Sequence, residues 1–256
     1  MMICFEPYAG TLGKYDQETL LDMIVKAGYD GLDVPADARF YDYTSPEQTQ
    51  ILKERIEELG LGVASVCGMP GGARGHITDP GHKAESLAYW EACIAAAQEF
   101  GAGSVVVWPP IPEGVYYEDA WDCCLENLSH ILPKARDAGV DLAIEFEKNC
   151  LVDNYRDGIR FCEQLGERVK LVADTMHIFN DRADPARCVR AIKDLIAVVH
   201  ASESERKVPG HGDFDHKTFY ATLKEVGYDG PVSLQYRASG LEDMTEACQF
   251  VRHMLA

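Results

Sequence analysis

The sequence predicts an α/β protein, and within that class a single (β/α)8 TIM barrel spanning residues 1–256. Three observations carry this expectation. One phrase recurs along the chain, in which an amphipathic stretch ends in a glycine and an apolar run follows. Copies are KAGYDGLDVPA (26–36), ELGLGVASVCG (58–68), EFGAGSVVVWPP (99–110), DAGVDLAIEFE (137–147), QLGERVKLVADT (164–175) and EVGYDGPVSLQYR (225–237). The glycine suits a helix C-cap, where the backbone turns left-handed. Second, the apolar runs are rich in Val, Ile and Leu without strict alternation, as parallel strands covered on both faces require. Third, the 256 residues match the ~250 of one such barrel.

Taken in order, the strands are expected near 2–7, 31–36, 62–68, 104–110, 141–147, 169–175, 196–202 and 231–237. Met1 and Met2 lead straight into ICFEPY, read as the first strand, so no secretory leader is expected. Helices fill the gaps. Their starts carry caps at Asp16, Ser45-Pro46-Glu47, Asp79-Pro80 and Asp184-Pro185, and a last helix is expected over 241–255. No linker or low-complexity tract interrupts the pattern, which argues for one domain. A doubly wound open sheet is the alternative, but eight regular units suit closure better.

Composition narrows the function. Forty-two acids against 24 bases give a net charge of −18. Such a surface repels phosphate backbones and anionic lipid, which argues against nucleic-acid and membrane partners. No apolar run reaches the ~18 residues that a membrane span needs. The nine cysteines form no C-x-x-C pair and sit mostly in apolar runs. They read as reduced core residues of a cytoplasmic protein, with Cys123-Cys124 assigned to helix packing.

Chemistry in such a barrel gathers at the C-terminal strand ends. Reading those places selects Glu6, Tyr8, Asp33, His76, Trp108, Glu145, Glu147, Asp174, His177, His200, Glu203, Arg206, His211 and Gln235. Glu145, Asp174, His200 and Gln235 fall on four consecutive strands, at gaps of 29, 26 and 35 residues, so their side chains converge near the axis. Each has a bland alternative: an ion pair at the mouth for the acids, a core histidine for His200, a backbone-satisfied amide for Gln235. Together, two carboxylates, an imidazole and an amide oxygen make a divalent-metal site. The mostly oxygen donor set favours Mn²⁺, with Mg²⁺, Co²⁺ or Zn²⁺ as alternatives.

Glu on strand five, D-x-x-H after strand six, H-x-x-E-x-x-R after strand seven and a polar residue on strand eight form an ordered set. The stretches are IEFEKN (144–149), ADTMH (173–177), HASESER (200–206) and VSLQYR (232–237). The set resembles the xylose-isomerase-like barrels, in particular the sugar-phosphate isomerase/epimerase group with its ketose 3-epimerases. That resemblance implies a divalent metal that holds a hydroxy-ketone and stabilises the enediolate formed on deprotonation. It implies that Glu145 is both ligand and base, that His177 contacts substrate hydroxyls and that Arg206, with Glu203 in the same motif, orients substrate. The family places a second carboxylate base on strand eight, where this chain has Gln235, and an amide takes no proton.

Glu147, two residues past Glu145, is a candidate base, or else a rim partner of Lys148 or Arg237. His177 is a candidate proton donor or a loop cap. His211 lies in a glycine-rich loop, PGHGDF, that can bring backbone close to a ligand. Arg206 can fork onto hydroxyls or pair with Glu203 or Glu205. Trp108 can stack on a sugar face or pack in the core. No phosphate cradle is present, so an unphosphorylated substrate is expected. The leading expectation is thus a metal-dependent isomerase or epimerase of a small sugar-like hydroxy-ketone. The alternatives are a lyase acting on keto-cyclitols or 3-keto-glycosides, a nuclease like the abasic-site endonucleases, and a non-catalytic ligand-binding barrel. A homo-oligomer or a second subunit stays open as a partner.

Overall fold

The computed structural model describes residues 1–69 and 76–256. Eight strands form one closed parallel barrel in chain order. They are β1 (Ile3–Phe5), β2 (Gly31–Pro35), β3 (Gly62–Gly68), β4 (Ser104–Val107), β5 (Asp141–Glu145), β6 (Val169–Asp174), β7 (Ile196–Ala201) and β8 (Val232–Leu234). Between and after them run α1 (Gln17–Ala27), α2 (Pro46–Glu58), α3 (Lys83–Phe100), α4 (Tyr117–Ala138), α5 (Tyr155–Leu165), α6 (Thr175–Asn180), α7 (Pro185–Ile192), α8 (His216–Glu225) and α9 (Leu241–Leu255), with 3-10 turns at Pro80–His82 and Ser204–Arg206. The pairing of Phe5 with both Leu32 and Leu234 closes the ring.

The expected caps are in place. Asp16, Ser45, Asp79 and Asp184 each accept a hydrogen bond from a backbone amide in the first turn they precede. The glycine in each repeated phrase (Gly28, Gly60, Gly101, Gly139, Gly166 and Gly227) has a positive φ. All nine cysteines are buried and unpaired, and the Cys123 thiol points at the carbonyl of Ile77.

The strands are shorter than expected at their C-terminal ends. β1 stops before Glu6, β4 before Trp108, β5 before Phe146 and β8 before Gln235. Pro7 and the Pro109-Pro110 pair supply no amide hydrogen to a ladder, which ends two of these strands. A second difference is α6, which starts directly on β6 where a strand residue, Thr175, was expected. Asp174 causes the switch, because its Oδ1 accepts from the amides of Met176 (2.7 Å) and His177 (3.1 Å) and so nucleates a helix.

Alternation along each strand sorts side chains into two cores. Ile3, Phe5, Leu32, Val34, Leu142, Ile144, Leu171, Val199, Val232 and Leu234 pack outward against the helices. Cys67, Val106, Ala143, Val172 and Val198 fill the barrel itself. Above that apolar plug the same inward register carries Glu6, Asp33, Glu145, Asp174, His200 and Gln235, all buried. Among the described residues no helix is long and apolar enough to cross a membrane.

Candidate active site

Glu145 is the hub. Its Oε1 lies 3.1 Å from Nδ1 of His200, 3.7 Å from Nε2 of His177 and 3.9 Å from Nη2 of Arg206. Register explains the meeting, since Asp174 and His200 are paired residues on β6 and β7 and Glu145 ends the preceding strand. Glu145, Asp174 and His177 offer ligand atoms within 4.8 Å of one another.

Asp174 divides its carboxylate. Oδ1 caps α6, and Oδ2 receives Nη1 of Arg206. Burial alone would raise this carboxyl, but Arg206, helped by His177 and His200, holds it well below the usual range. His177, in the first turn of the helix that Asp174 caps, accepts at Nε2 from Nη2 of Arg206 at 3.1 Å. A guanidinium only donates, so in this arrangement the ring proton of His177 sits on Nδ1. Nδ1 lies 3.9 Å from Oε1 of Glu147. Arg206 enters from an unusual backbone: Glu205 and Arg206 both have positive φ, 61° and 57°. Two successive non-glycine residues there cost about 1–3 kcal/mol each. The aim they give the guanidinium, with a side chain only 14% exposed, offsets that strain through the Asp174 pair.

Behind His200 stands Asp33 on β2. Its Oδ2 is 3.3 Å from Nε2 of His200, a contact placed off the line of a good hydrogen bond, and its Oδ1 accepts from Ser65 Oγ at 2.8 Å. Burial would depress the imidazole, yet Asp33, Cys67 and Glu145 around it hold it well above its usual range. Cys67, beside them, is pushed up by burial and stays a neutral thiol. Glu6, just past β1, accepts from the Tyr8 amide through Oε1 (2.8 Å), while Oε2 has no partner. Burial pushes its carboxyl up to about 7 against the opposing pull of His200 and the Tyr8 amide.

Glu147 is at the rim, where Trp108 Nε1 donates to its Oε2 at 2.6 Å. Trp108 in turn packs edge-on against His76, with ring centroids 5.7 Å apart. Two expected substrate contacts lie elsewhere. Glu203 is buried beneath the loop after β7, where it accepts from His216 (2.7 Å) and from the amides of Gly210 and Phe214. Burial alone would raise its carboxyl, but the His216 contact and those amides hold it below the usual range. His211 is exposed and pairs with Glu246 on α9 at 2.8 Å. The sequence pointed to Glu6 and Asp33 only as strand-end positions. Their one further signal was an acid inside an otherwise apolar run, ICFEP and GLDVP.

The donor set fits a divalent cation. Gln235 Oε1 is buried with no hydrogen-bond partner, an arrangement that costs on the order of 1–3 kcal/mol unless something positive or protic faces it. Among the described residues, four buried carboxylates, Glu6, Asp33, Glu145 and Asp174, stand against the Arg206 guanidinium and the His177 and His200 imidazoles. Glu145, Asp174, His200 and Gln235 together bring two charges, one imidazole and one amide oxygen, which suits a 2+ ion.

Comparison with known proteins agrees with the fold. The family described as xylose isomerase-like TIM barrel matches residues 21–254. The chain is 29% identical over 214 residues to an L-ribulose 3-epimerase of Mesorhizobium japonicum, covering 79% of this chain and 72% of that one. It is 23% identical over 234 residues to a D-psicose 3-epimerase of Ruminiclostridium cellulolyticum, covering 86% and 78%. Among solved structures, a D-psicose 3-epimerase with D-tagatose from Clostridium cellulolyticum superposes with a TM-score of 0.85 at 20% identity, covering 100% of this chain and 99% of that one. A 3-keto-D-glucoside 4-epimerase from E. coli superposes with a TM-score of 0.83 at 20% identity, each chain covered to 99%. With the closed eight-stranded barrel and the convergent acids at its mouth, the chain belongs to the xylose isomerase-like TIM-barrel family.

Proposed function

We propose that the protein is a divalent-metal-dependent isomerase or epimerase that acts on a small sugar-like hydroxy-ketone through an enediolate. One observation carries this reading most strongly: Glu145 and Asp174 stand with His177 and His200 at the buried mouth of the barrel, and Gln235, just past β8, has a buried amide oxygen with no hydrogen-bond partner. The names of the relatives, ketose 3-epimerases, support the substrate class.

Glu145, Asp174, His200 and Gln235 would hold the ion, with Mn²⁺ favoured and Mg²⁺, Co²⁺ or Zn²⁺ as alternatives. A bound cation would polarise the carbonyl and offset the charge that develops on its oxygen. Glu145 takes the proton from the carbon beside the carbonyl. His177 and Arg206, held against each other at 3.1 Å, present a polar edge to substrate hydroxyls. Trp108 walls the rim and fixes Glu147, whose Oε1 lies 3.9 Å from Nδ1 of His177. Nine free thiols suit a reducing compartment such as the cytoplasm.

The test is metal analysis of the purified protein, followed by incubation with unphosphorylated ketoses in D₂O. Deuterium should enter the carbon beside the carbonyl in the wild type and not in Glu145→Ala. Products of unchanged mass mark isomerisation or epimerisation; an unsaturated ketone with a released group would mark a lyase instead. No bound metal, and no exchange after Mn²⁺ is added, would sink the proposal.

A further inference from the structure

Inverting a carbon beside a carbonyl needs a proton removed from one face and another delivered to the opposite face. Glu145 serves one face. Gln235, on the strand where a second carboxylate would be useful, cannot carry a proton. Glu147 and His177 stand on the same side as Glu145, following β5 and β6, and Glu147 is tied to Trp108. Asp33 has its oxygens turned to Ser65 and His200.

Glu6 is placed differently. In a ring of eight strands, β1 lies four places from β5, directly across the barrel. Ile3 and Phe5 pack outward, so alternation turns Glu6 inward, and its amide bonds to the carbonyl of Leu234, the residue before Gln235. Among the described residues, Asp33, His200 and Arg206 are the charged groups that act on it. One oxygen is anchored by the Tyr8 amide, and the other is buried and unpartnered. A carboxyl anchored through one oxygen, with the other buried and unpartnered, is placed to meet a group bound in the barrel.

Resting on the function proposed above, we propose that Glu6 is the second proton-transfer residue, supplying from β1 the carboxyl that Gln235 lacks on β8. Glu145 takes the proton from the carbon beside the carbonyl, and the C–H electron pair moves into the enediolate. The Glu6 carboxylic acid then gives its proton to the same carbon from the opposite face. The cycle leaves Glu145 protonated and Glu6 ionised, and exchange with water, or the reverse reaction, restores both. Position, across the barrel from Glu145, singles Glu6 out.

The test compares wild type, Glu6→Gln and Glu6→Asp, each loaded with Mn²⁺, on unphosphorylated ketopentoses and ketohexoses in D₂O. Mn²⁺ affinity is measured in parallel by electron paramagnetic resonance. The expected result for Glu6→Gln is Mn²⁺ affinity within about threefold of wild type and deuterium exchange retained with the starting configuration. Epimer formation should fall by about 10²–10⁴-fold, and Glu6→Asp should recover part of it. A Glu6→Gln protein that epimerises within tenfold of wild type overturns the assignment. So does equal loss of exchange and epimerisation with Mn²⁺ binding intact. If Glu6→Gln does not fold, Glu6→Asp decides: inversion slowed more than exchange supports the role, and both slowed equally refutes it. Wild type that binds Mn²⁺ but neither exchanges nor epimerises any ketose would overturn the parent function, and this inference with it.

Discussion

Asp33 lies 3.3 Å from Nε2 of His200, on the side of the ring opposite to the nitrogen that meets Glu145. With an ion held at Nδ1, a small turn of the ring would let Nε2–H donate to Asp33, the outer contact that orients a ligating histidine. Asp33→Asn should therefore weaken Mn²⁺ binding by about 10–100-fold, measured by titration calorimetry. Affinity within threefold of wild type would refute this role.

Gln235→Glu should tighten Mn²⁺ binding by at least about tenfold, because it adds a charge to the ligand set. The same change should lower the melting temperature of the metal-free protein, since a further buried carboxylate joins Glu145 and Asp174. Gln235→Leu should weaken binding. Melting curves with and without Mn²⁺ read both effects. A metal-free protein stabilised by the added glutamate would contradict the charge argument.

Metal-free stability should fall as pH rises from 5 to 9. Glu6 and His200 both titrate above their ordinary values in the fold. Stability from a raised group is complete below its unfolded pKa, about 4.3 for Glu and about 6.5 for His, and is lost as pH climbs through the folded value. Asp174 has the opposite sign: its contribution holds above about 3.9 and is lost only in stronger acid, as pH falls through its lowered folded value. Urea midpoints at pH 5, 7 and 9 check the direction, and a midpoint that rises across this range contradicts it.

Glu203 and His211 separate fold from chemistry. Glu203→Ala removes the acceptor that holds His216 and two loop amides, and should cost about 2–4 kcal/mol by denaturant unfolding. His211→Ala removes an exposed pair with Glu246, which is worth little, and should leave turnover within about twofold of wild type. A large drop in turnover for His211→Ala would place it back at the substrate.

The eight strands were legible because buried parallel strands need unbroken apolar runs, and LAIEF and AVVHA are such runs. Their ends were not, because prolines and loop geometry stop the ladders while the inward alternation continues through Glu6, Trp108 and Gln235. The approach of Glu145, Asp174 and His200 was legible from order and spacing, whereas the place of His177 and Arg206 beside them came from the family resemblance alone. Glu203 and His211 are engaged away from that group, because motif spacing fixes position along the chain and not direction: the loop after β7 folds Glu203 under itself, and His211 pairs with Glu246. Asp33 and Glu6 acquire meaning only when the barrel closes and β1 and β2 come round to face β5 and β7.

The shared duty of Asp174 has a practical consequence. One of its oxygens starts α6 and the other faces the mouth. Alanine at 174 would remove a helix signal, a candidate ligand and the placement of His177 in one stroke, so its effect could not be divided among them. Asparagine keeps an acceptor for the cap while discarding the charge. The difference between the two variants measures how far the positions of the imidazole and the carboxylate are mechanically one part.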